Sequence, residues 1–344
     1  MTGGGEAFNI VESYHRFLAN DPDLPFPIAA IFALSELVSR SRAATTSELI
    51  ETIKSASQRL KASLANPVPA TAGLDLFTRF VVTKSWDGDD FEAHKQSLSS
   101  LAREFATHTV PSCREKICDL VLPFIRDDAV ILTHSYSRVV MQVLRKAARV
   151  QRKRISVYVT ESRPNGLGLR THEQLTAAGV PCTVILDSAV AYVMDKVDLC
   201  LTGAEGVVES GGFLNAIGTY GMAMIAKSHN KPFFALAESF KFLRLFPLSQ
   251  YDLPASGNIL AFPELSDDQQ AKAAERCLPV RATKEDDDDE TAQRSKLMSK
   301  EMVQLNPAID YTLPDLVTFL FSDVGVLTPS GVGDALLAVY GGAD

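Results

Sequence analysis

The run Asp198–Lys227, DLCLTGAEGVVESGGFLNAIGTYGMAMIAK, decides how the rest of the chain is read. A short apolar strand, Leu199–Leu201, ends in Thr202-Gly203-Ala204-Glu205. A glycine-rich turn with Gly206, Gly211 and Gly212 follows. From Asn215 a run of small and apolar residues predicts a helix reaching about Ser228. In an open parallel sheet, ligands bind beyond the carboxyl ends of the strands. A helix N-terminus at that place offers unpaired N–H groups to an anion. The run therefore predicts a site for a small anionic ligand.

Outward from this run the same rhythm repeats. Ala129–Thr133 (AVILT), Ile155–Thr160 (ISVYVT), Cys182–Leu186 (CTVIL) and Pro232–Ala237 (PFFALA) are short, β-branched or aromatic runs of the buried-strand kind. Helical periodicity separates them, as in SRVVMQVLRKAARVQ and over Thr171–Ala178. Strands alternating with helices at this spacing predict a parallel sheet with right-handed crossovers. Upstream, from Phe8 to about Ala106, apolar residues recur at helical steps. Thr45-Thr46-Ser47-Glu48 offers an N-cap before LIETIKSASQRLKASL. Asn66–Gly73 (NPVPATAG) reads as a break, and Ser97–Ile117 as a long helix interrupted near Pro111. The predicted fold class is α followed by α/β. A helical N-terminal domain (1–120) precedes a Rossmann-like, doubly wound parallel sheet (121–344). Within the second domain, residues 256–300 carry the acidic run KEDDDDE (Lys284–Glu290) and read as a mobile, solvated loop. Residues 1–6 read as disordered. Leu316–Phe321 has strand or helix character at the sheet, and Val332–Tyr340 is a closing helix.

Composition narrows the function. Across 344 residues, 34 Lys and Arg face 42 Asp and Glu, a formal charge of −8. That balance argues against a nucleic-acid binder, whose affinity rests on neutralising phosphates. The five cysteines include no CxxC pair and read as buried free thiols in a reducing compartment. No signal peptide, membrane-spanning run or metal-ligand pattern is visible, so the expectation is a cytosolic protein with no membrane partner. GxGxxG, GxxxxGK[ST] and GxSxG motifs are all absent, which removes support for dinucleotide binding, nucleotide hydrolysis and serine-hydrolase chemistry.

Four strand ends converge in such a topology. They bring together Thr133, His134, Ser135, Tyr136 and Arg138; Glu161, Ser162 and Arg163; Asp187; and Glu205, Gly206 and Asn215. These hydroxyls, carboxylates and cations make a cradle for a phosphorylated polyol. Arg163 suits a phosphate because its planar fork binds two oxygens, or it pairs with Glu161 or Glu205. His134 contacts a ligand or orients its own loop. The basic cluster Arg145, Lys146, Arg149, Arg152, Lys153 and Arg154 closes the first crossover helix. Cations there complement the helix dipole, or they meet an acidic partner.

At these residues a resemblance emerges. ILTHSYSRVV, SVYVTESRP, GAEGVVESGG, IGTYGMAMIAK, ESFKFLRLFPL and DVGVLTPSGVGDALLAVY together resemble the regulatory-subunit family of translation initiation factor 2B, its alpha branch above all. That family also holds methylthioribose-1-phosphate and ribose-1,5-bisphosphate isomerases. The resemblance implies a homodimer joined to beta, delta, gamma and epsilon subunits in the guanine-nucleotide exchange factor for initiation factor 2. It also implies sensing of the phosphorylated alpha subunit of initiation factor 2, with no required cofactor. By the same resemblance, the isomerases' catalytic cysteine and aspartate fall at Ser135 and Glu205. The lysine after their conserved asparagine falls at Ala216, next to Asn215. A serine hydroxyl is far less acidic than a thiol, whose pKa is about 8.5, and Glu for Asp displaces the carboxylate. The resemblance thus implies lost catalysis and a retained pocket for a sugar phosphate or nucleoside monophosphate, lined by Thr133, His134, Ser135, Tyr136, Arg163, Glu205, Gly206 and Asn215.

Overall fold

The computed structural model describes residues 8–21, 24–83, 91–253, 257 and 300–340. Residues 1–6, one of the five cysteines (Cys277) and all of the 256–300 segment except Gly257 and Lys300, with its acidic run Lys284–Glu290, lie outside the described residues. One compact unit comprises 1–255 with 308–344, and a second comprises 256–307. In the second, a bridge joins Gly257 and Pro307, and a short helix, Lys300–Gln304, is described.

The helical part of the first unit opens with α1 (Ile10–Asn20), α2 (Phe26–Arg40), α3 (Thr46–Ser63) and α4 (Val68–Thr83). Asn9 caps α1, accepting from the N–H groups of Val11 and Glu12, and Thr45 caps α3, accepting from Glu48 N–H. A capping side chain of this kind contributes about 1 kcal/mol. The Asn66–Gly73 break is narrower than its composition suggests. Val68 already opens α4, and Pro69 sits in the first turn, where no N–H is needed. The long helix expected over 97–117 is α5 (Phe91–Glu104) and α6 (Val110–Val121), joined by a π-turn, Phe105–Thr109. Pro111 cannot donate to the preceding turn, and the wider π-turn absorbs that lost bond. Apolar faces of α1–α5 close on one core containing Ile31, Leu34, Leu49, Ile53, Leu74 and Phe77.

The sheet part follows: β1 (Val130–His134), α7 (Arg138–Arg149), β2 (Ser156–Thr160), α8 (Leu167–Ala177), β3 (Cys182–Ile185), α9 (Val190–Val193) and β4 (Leu199–Gly203). Then come β5 (Gly206–Val208), β6 (Phe213–Ala216), α10 (Thr219–Ser228), β7 (Phe233–Leu236) and β8 (Phe242–Leu243). The chain closes with β9 (Ile309–Thr312), β10 (Phe319–Ser322), β11 (Gly325–Leu327) and, counting Lys300–Gln304 as α11, the helix α12 (Val332–Tyr340). The main sheet runs β11-β10-β7-β4-β1-β2-β3, parallel except for the edge strand β11. The strand order turns back between β1 and β4, which places a ligand crevice there.

Three expectations need correction. The glycine-rich run is not one turn. Gly206–Val208 and Phe213–Ala216 pair as an antiparallel hairpin, and with β8 and β9 they form a second sheet, β8-β5-β6-β9. Gly211 holds a φ of 85° in the hairpin loop, a conformation open to glycine at little cost. Asn215 therefore lies on a strand, and the helix starts only at Thr219. The helix expected at Thr171 instead starts earlier, at Leu167, after Gly166 in the left-handed region.

Candidate functional site

A cavity of about 580 Å³ opens where the carboxyl ends of β1, β2 and β4 meet α1, α2 and the start of α4. Of the residues expected in a site, Ser135, Tyr136, Arg163, Glu205 and Asn215 line it. Thr133, His134 and Gly206 do not. Thr133 is buried within β1. Gly206 is packed so closely under Leu243 and Val68 that an added Cβ would lie 2.6 Å from the leucine.

His134 is a latch behind the wall. Its Nε2 lies 2.9 Å from the carbonyl of Ile217, which can only accept, so Nε2 carries the proton. Nδ1 then accepts from the Thr160 hydroxyl at 2.5 Å. Burial lowers the imidazole pKa, against the opposing effects of Asp187 and the Ile217 carbonyl, and keeps the ring neutral. Both nitrogens are committed, so His134 ties β1 to β2 and to the start of α10 and has no lone pair left for a neighbouring hydroxyl.

The wall itself is built at the strand ends. Ser135, directly after β1, and Ser162, two residues beyond β2, sit at positive φ, 60° and 61°. Non-glycine residues held there cost on the order of 1 kcal/mol each and recur at binding sites. Asp187 holds the second turn, accepting from Ser162 N–H at 2.9 Å and Arg163 N–H at 2.8 Å. The start of α7 carries no side-chain cap, and Ser135–Val139 face the cavity. Arg170 lies over the Tyr136 ring at 4.3 Å.

The anion-receptive helix N-terminus expected after Asn215 is already filled. Asp310, on β9, accepts from Gly218 N–H at 2.8 Å and Tyr220 N–H at 3.0 Å. Its Oδ2 satisfies the N–H groups that an incoming anion would otherwise meet. The uncapped start of α7 takes over as the helix end that faces the cavity.

Four contributors were invisible from local sequence. Asn66, just before α4, donates to Glu205 Oε2 at 2.6 Å. Arg114 on α6 pairs with Glu238 at 2.8 Å, and Lys241 pairs with the other oxygen of Glu238 at 2.8 Å. Lys241 also donates to the Ala204 carbonyl at 3.0 Å. Burial alone would raise the Glu238 pKa, but Lys241 and Arg114 outweigh it and hold the carboxyl at about 2. Glu205 behaves oppositely. Burial raises its pKa, and Asn66 and Lys241 offset this only in part. Five cations line the cavity (Arg114, Arg138, Arg163, Arg170, Lys241) against two carboxylates (Glu205, Glu238). In a chain of charge −8, this is a locally cationic, partly enclosed space, suited to an anion.

Among the described residues no group of His, Cys, Asp and Glu could hold a metal ion, and no helix is long and apolar enough to cross a membrane. Cys113, Cys118, Cys182 and Cys200 are free thiols, and burial pushes each pKa up, that of Cys118 to about 12. Such thiols are inert at neutral pH.

The profile described as the initiation factor 2 subunit family matches residues 19–329. The chain is 35% identical over 345 residues to translation initiation factor eIF2B subunit alpha of Dictyostelium discoideum, covering 99% of this chain and 100% of that one. It is 28% identical over 315 residues to ribose 1,5-bisphosphate isomerase of Pyrococcus furiosus, covering 90% and 87%. The crystal structure of the tetrameric eIF2B-beta2-delta2 complex of C. thermophilum contains a chain of the same fold, with a TM-score of 0.66 at 18% identity, covering 96% of this chain and 94% of that one. The order of strands, the helical layer before them and the end-to-end likeness to alpha subunits place this chain in the initiation factor 2 subunit family.

Proposed function

We propose that this chain is a non-catalytic regulatory subunit, of the alpha kind, of the guanine-nucleotide exchange factor for initiation factor 2. It pairs with a second copy of itself and bridges the beta, delta, gamma and epsilon subunits into the complete complex in the cytosol. Through its helical domain it contributes to sensing the phosphorylated alpha subunit of initiation factor 2. The observation that carries this reading is the likeness to an alpha subunit over 99% of the chain. Sedimentation of the other subunits with and without this chain tests it. Joining of two subassemblies by a dimer of this chain is expected. A monomer that leaves their mass unchanged overturns the reading.

The cavity supports a second part of the proposal, a pocket for a sugar phosphate or nucleoside monophosphate. Its phosphate is met by Arg163 and the start of α7, and its hydroxyls by Glu205 and Asn215. The likeness to an isomerase favours an enzyme as the alternative reading. Against it, no imidazole or carboxylate hydrogen-bonds the Ser135 hydroxyl among the described residues, and the adjacent His134 is fully committed. A serine without a base is a poor nucleophile or acid. Incubation with ribose 1,5-bisphosphate separates the readings. A raised Tm by mass action, without ketose formation, is expected. Steady turnover overturns the non-catalytic assignment, and no Tm change at millimolar ligand overturns the pocket.

A further inference from the structure

A second concavity, distinct from the cavity but starting at its mouth, runs along the outer face of α7 between α6 and α8. Arg114, Tyr136 and Arg138 line both spaces; Arg145, Lys146 and Arg149 line the groove only, beside one carboxylate, Glu115, which pairs with Lys146. On α7, Arg138, Gln142, Arg145 and Arg149 follow one another at helical spacing on one face. A pure helix-dipole role predicts cations near the last turn only. This stripe instead extends back to the first residue of the helix.

What the cations touch is informative. Lys146 is matched by carboxylates, Glu115 and Asp119. Arg145 is not: it donates to the side-chain oxygen of Gln174 at 2.8 Å. Arg149 donates to the carbonyls of Ala178, at 3.2 Å, and Ala177. These are neutral acceptors. They fix the two guanidiniums in place, and among the described residues no carboxylate pairs with either. The groove floor includes buried Met141, and Val150 stands exposed at its far end. Fixed cations beside a low-dielectric floor focus a positive field.

We infer that this groove docks an extended acidic segment of a partner protein. Arg145 and Arg149 are separated by about 6 Å along the helix axis, from a rise of 1.5 Å per residue. Alternate side chains of an extended peptide are spaced about 6.6 Å apart, so two carboxylates two residues apart meet the two guanidiniums together. Bidentate carboxylate binding suits arginine. The residue between those carboxylates faces away from the groove. Single-stranded nucleic acid fits less well. It needs aromatic faces on which bases stack, and the one aromatic ring here, Tyr136, is already covered by Arg170.

The inference is independent of any ligand in the cavity. The test uses the full chain and fluorescence anisotropy of a labelled peptide of alternating Glu and Val. Parallel titrations use an alternating Lys–Val peptide and a twelve-nucleotide RNA. Saturable binding of the acidic peptide alone is expected, weakening about tenfold between 50 and 300 mM salt as the Debye length shrinks. Arg145→Glu with Arg149→Glu should raise Kd by about tenfold or more. Because Arg149 also holds the end of α8, Arg145→Gln is measured alongside. It keeps that anchor and should still weaken binding severalfold. Absence of saturable acidic-peptide binding overturns the proposal. So does tighter binding of RNA, or an affinity unchanged in both variants.

Discussion

Asp310 carries the clearest residue-scale consequence. Its carboxyl is raised from 3.8 to about 7, chiefly by burial and secondarily by the charge of Glu205, against the hydrogen bonds from Tyr220 and Gly218. A folded-state pKa above the unfolded one means that the native state binds the proton more tightly. The resulting stabilisation is present below about pH 4 and is lost as pH rises towards 7, by at most about 4 kcal/mol. Asp310→Asn keeps an acceptor for the two N–H groups and removes the titration. The Tm of this variant relative to the parent should therefore be several degrees more favourable at pH 8 than at pH 5, by calorimetry. Equal differences at the two pH values would contradict this. At this scale the sequence was half legible. Ser135, Tyr136, Arg163 and Glu205 follow strand ends and could be placed by counting strands, whereas Asn215 reaches the cavity from within β6 rather than from a helix start. Asn66 and Arg114 could not, because their partners Glu205 and Glu238 lie 139 and 124 residues away.

Among the elements, the least legible was the hairpin β5–β6. Its strands are only three and four residues long, and its loop glycines resemble the phosphate-binding turn that commonly follows such a strand. Consecutive small residues after Asn215 continue smoothly into α10, so periodicity could not mark the junction. The π-turn Phe105–Thr109 was foreseen only as an interruption near Pro111. Its structural role lies in packing: Phe105 meets Phe240 edge-on at 5.6 Å. Phe240 comes from the segment after β7 yet is buried in the helical core. It sits between Glu238 and Lys241, which both line the cavity. The helical core thus fixes the segment that carries the cavity's ion pairs. Phe240→Ala should cost about 3–5 kcal/mol in chemical denaturation. With Phe105→Ala in a double-mutant cycle, a coupling of about 1 kcal/mol is expected. A cost near zero would mean that Phe240 does not anchor the two layers.

For the whole molecule, alternation of strands and helices sufficed to foresee a helical layer followed by a parallel sheet whose strand ends converge. The second sheet, the antiparallel edge strand β11 and the contribution of α1, α2 and α4 to the cavity depend on long-range packing with no local signature. What emerges is an acidic chain with a cationic cavity between its helical layer and its sheet, similar over most of its length both to an eIF2B alpha subunit and to a ribose 1,5-bisphosphate isomerase. The proposed role is regulation without catalysis. Guanine-nucleotide release from initiation factor 2 tests it most directly, measured with the other four subunits, in the presence or absence of this chain, and with the phosphorylated factor added as inhibitor. With a regulatory role, the phosphorylated factor slows release markedly only when this chain is present. Equal inhibition with and without the chain would contradict it.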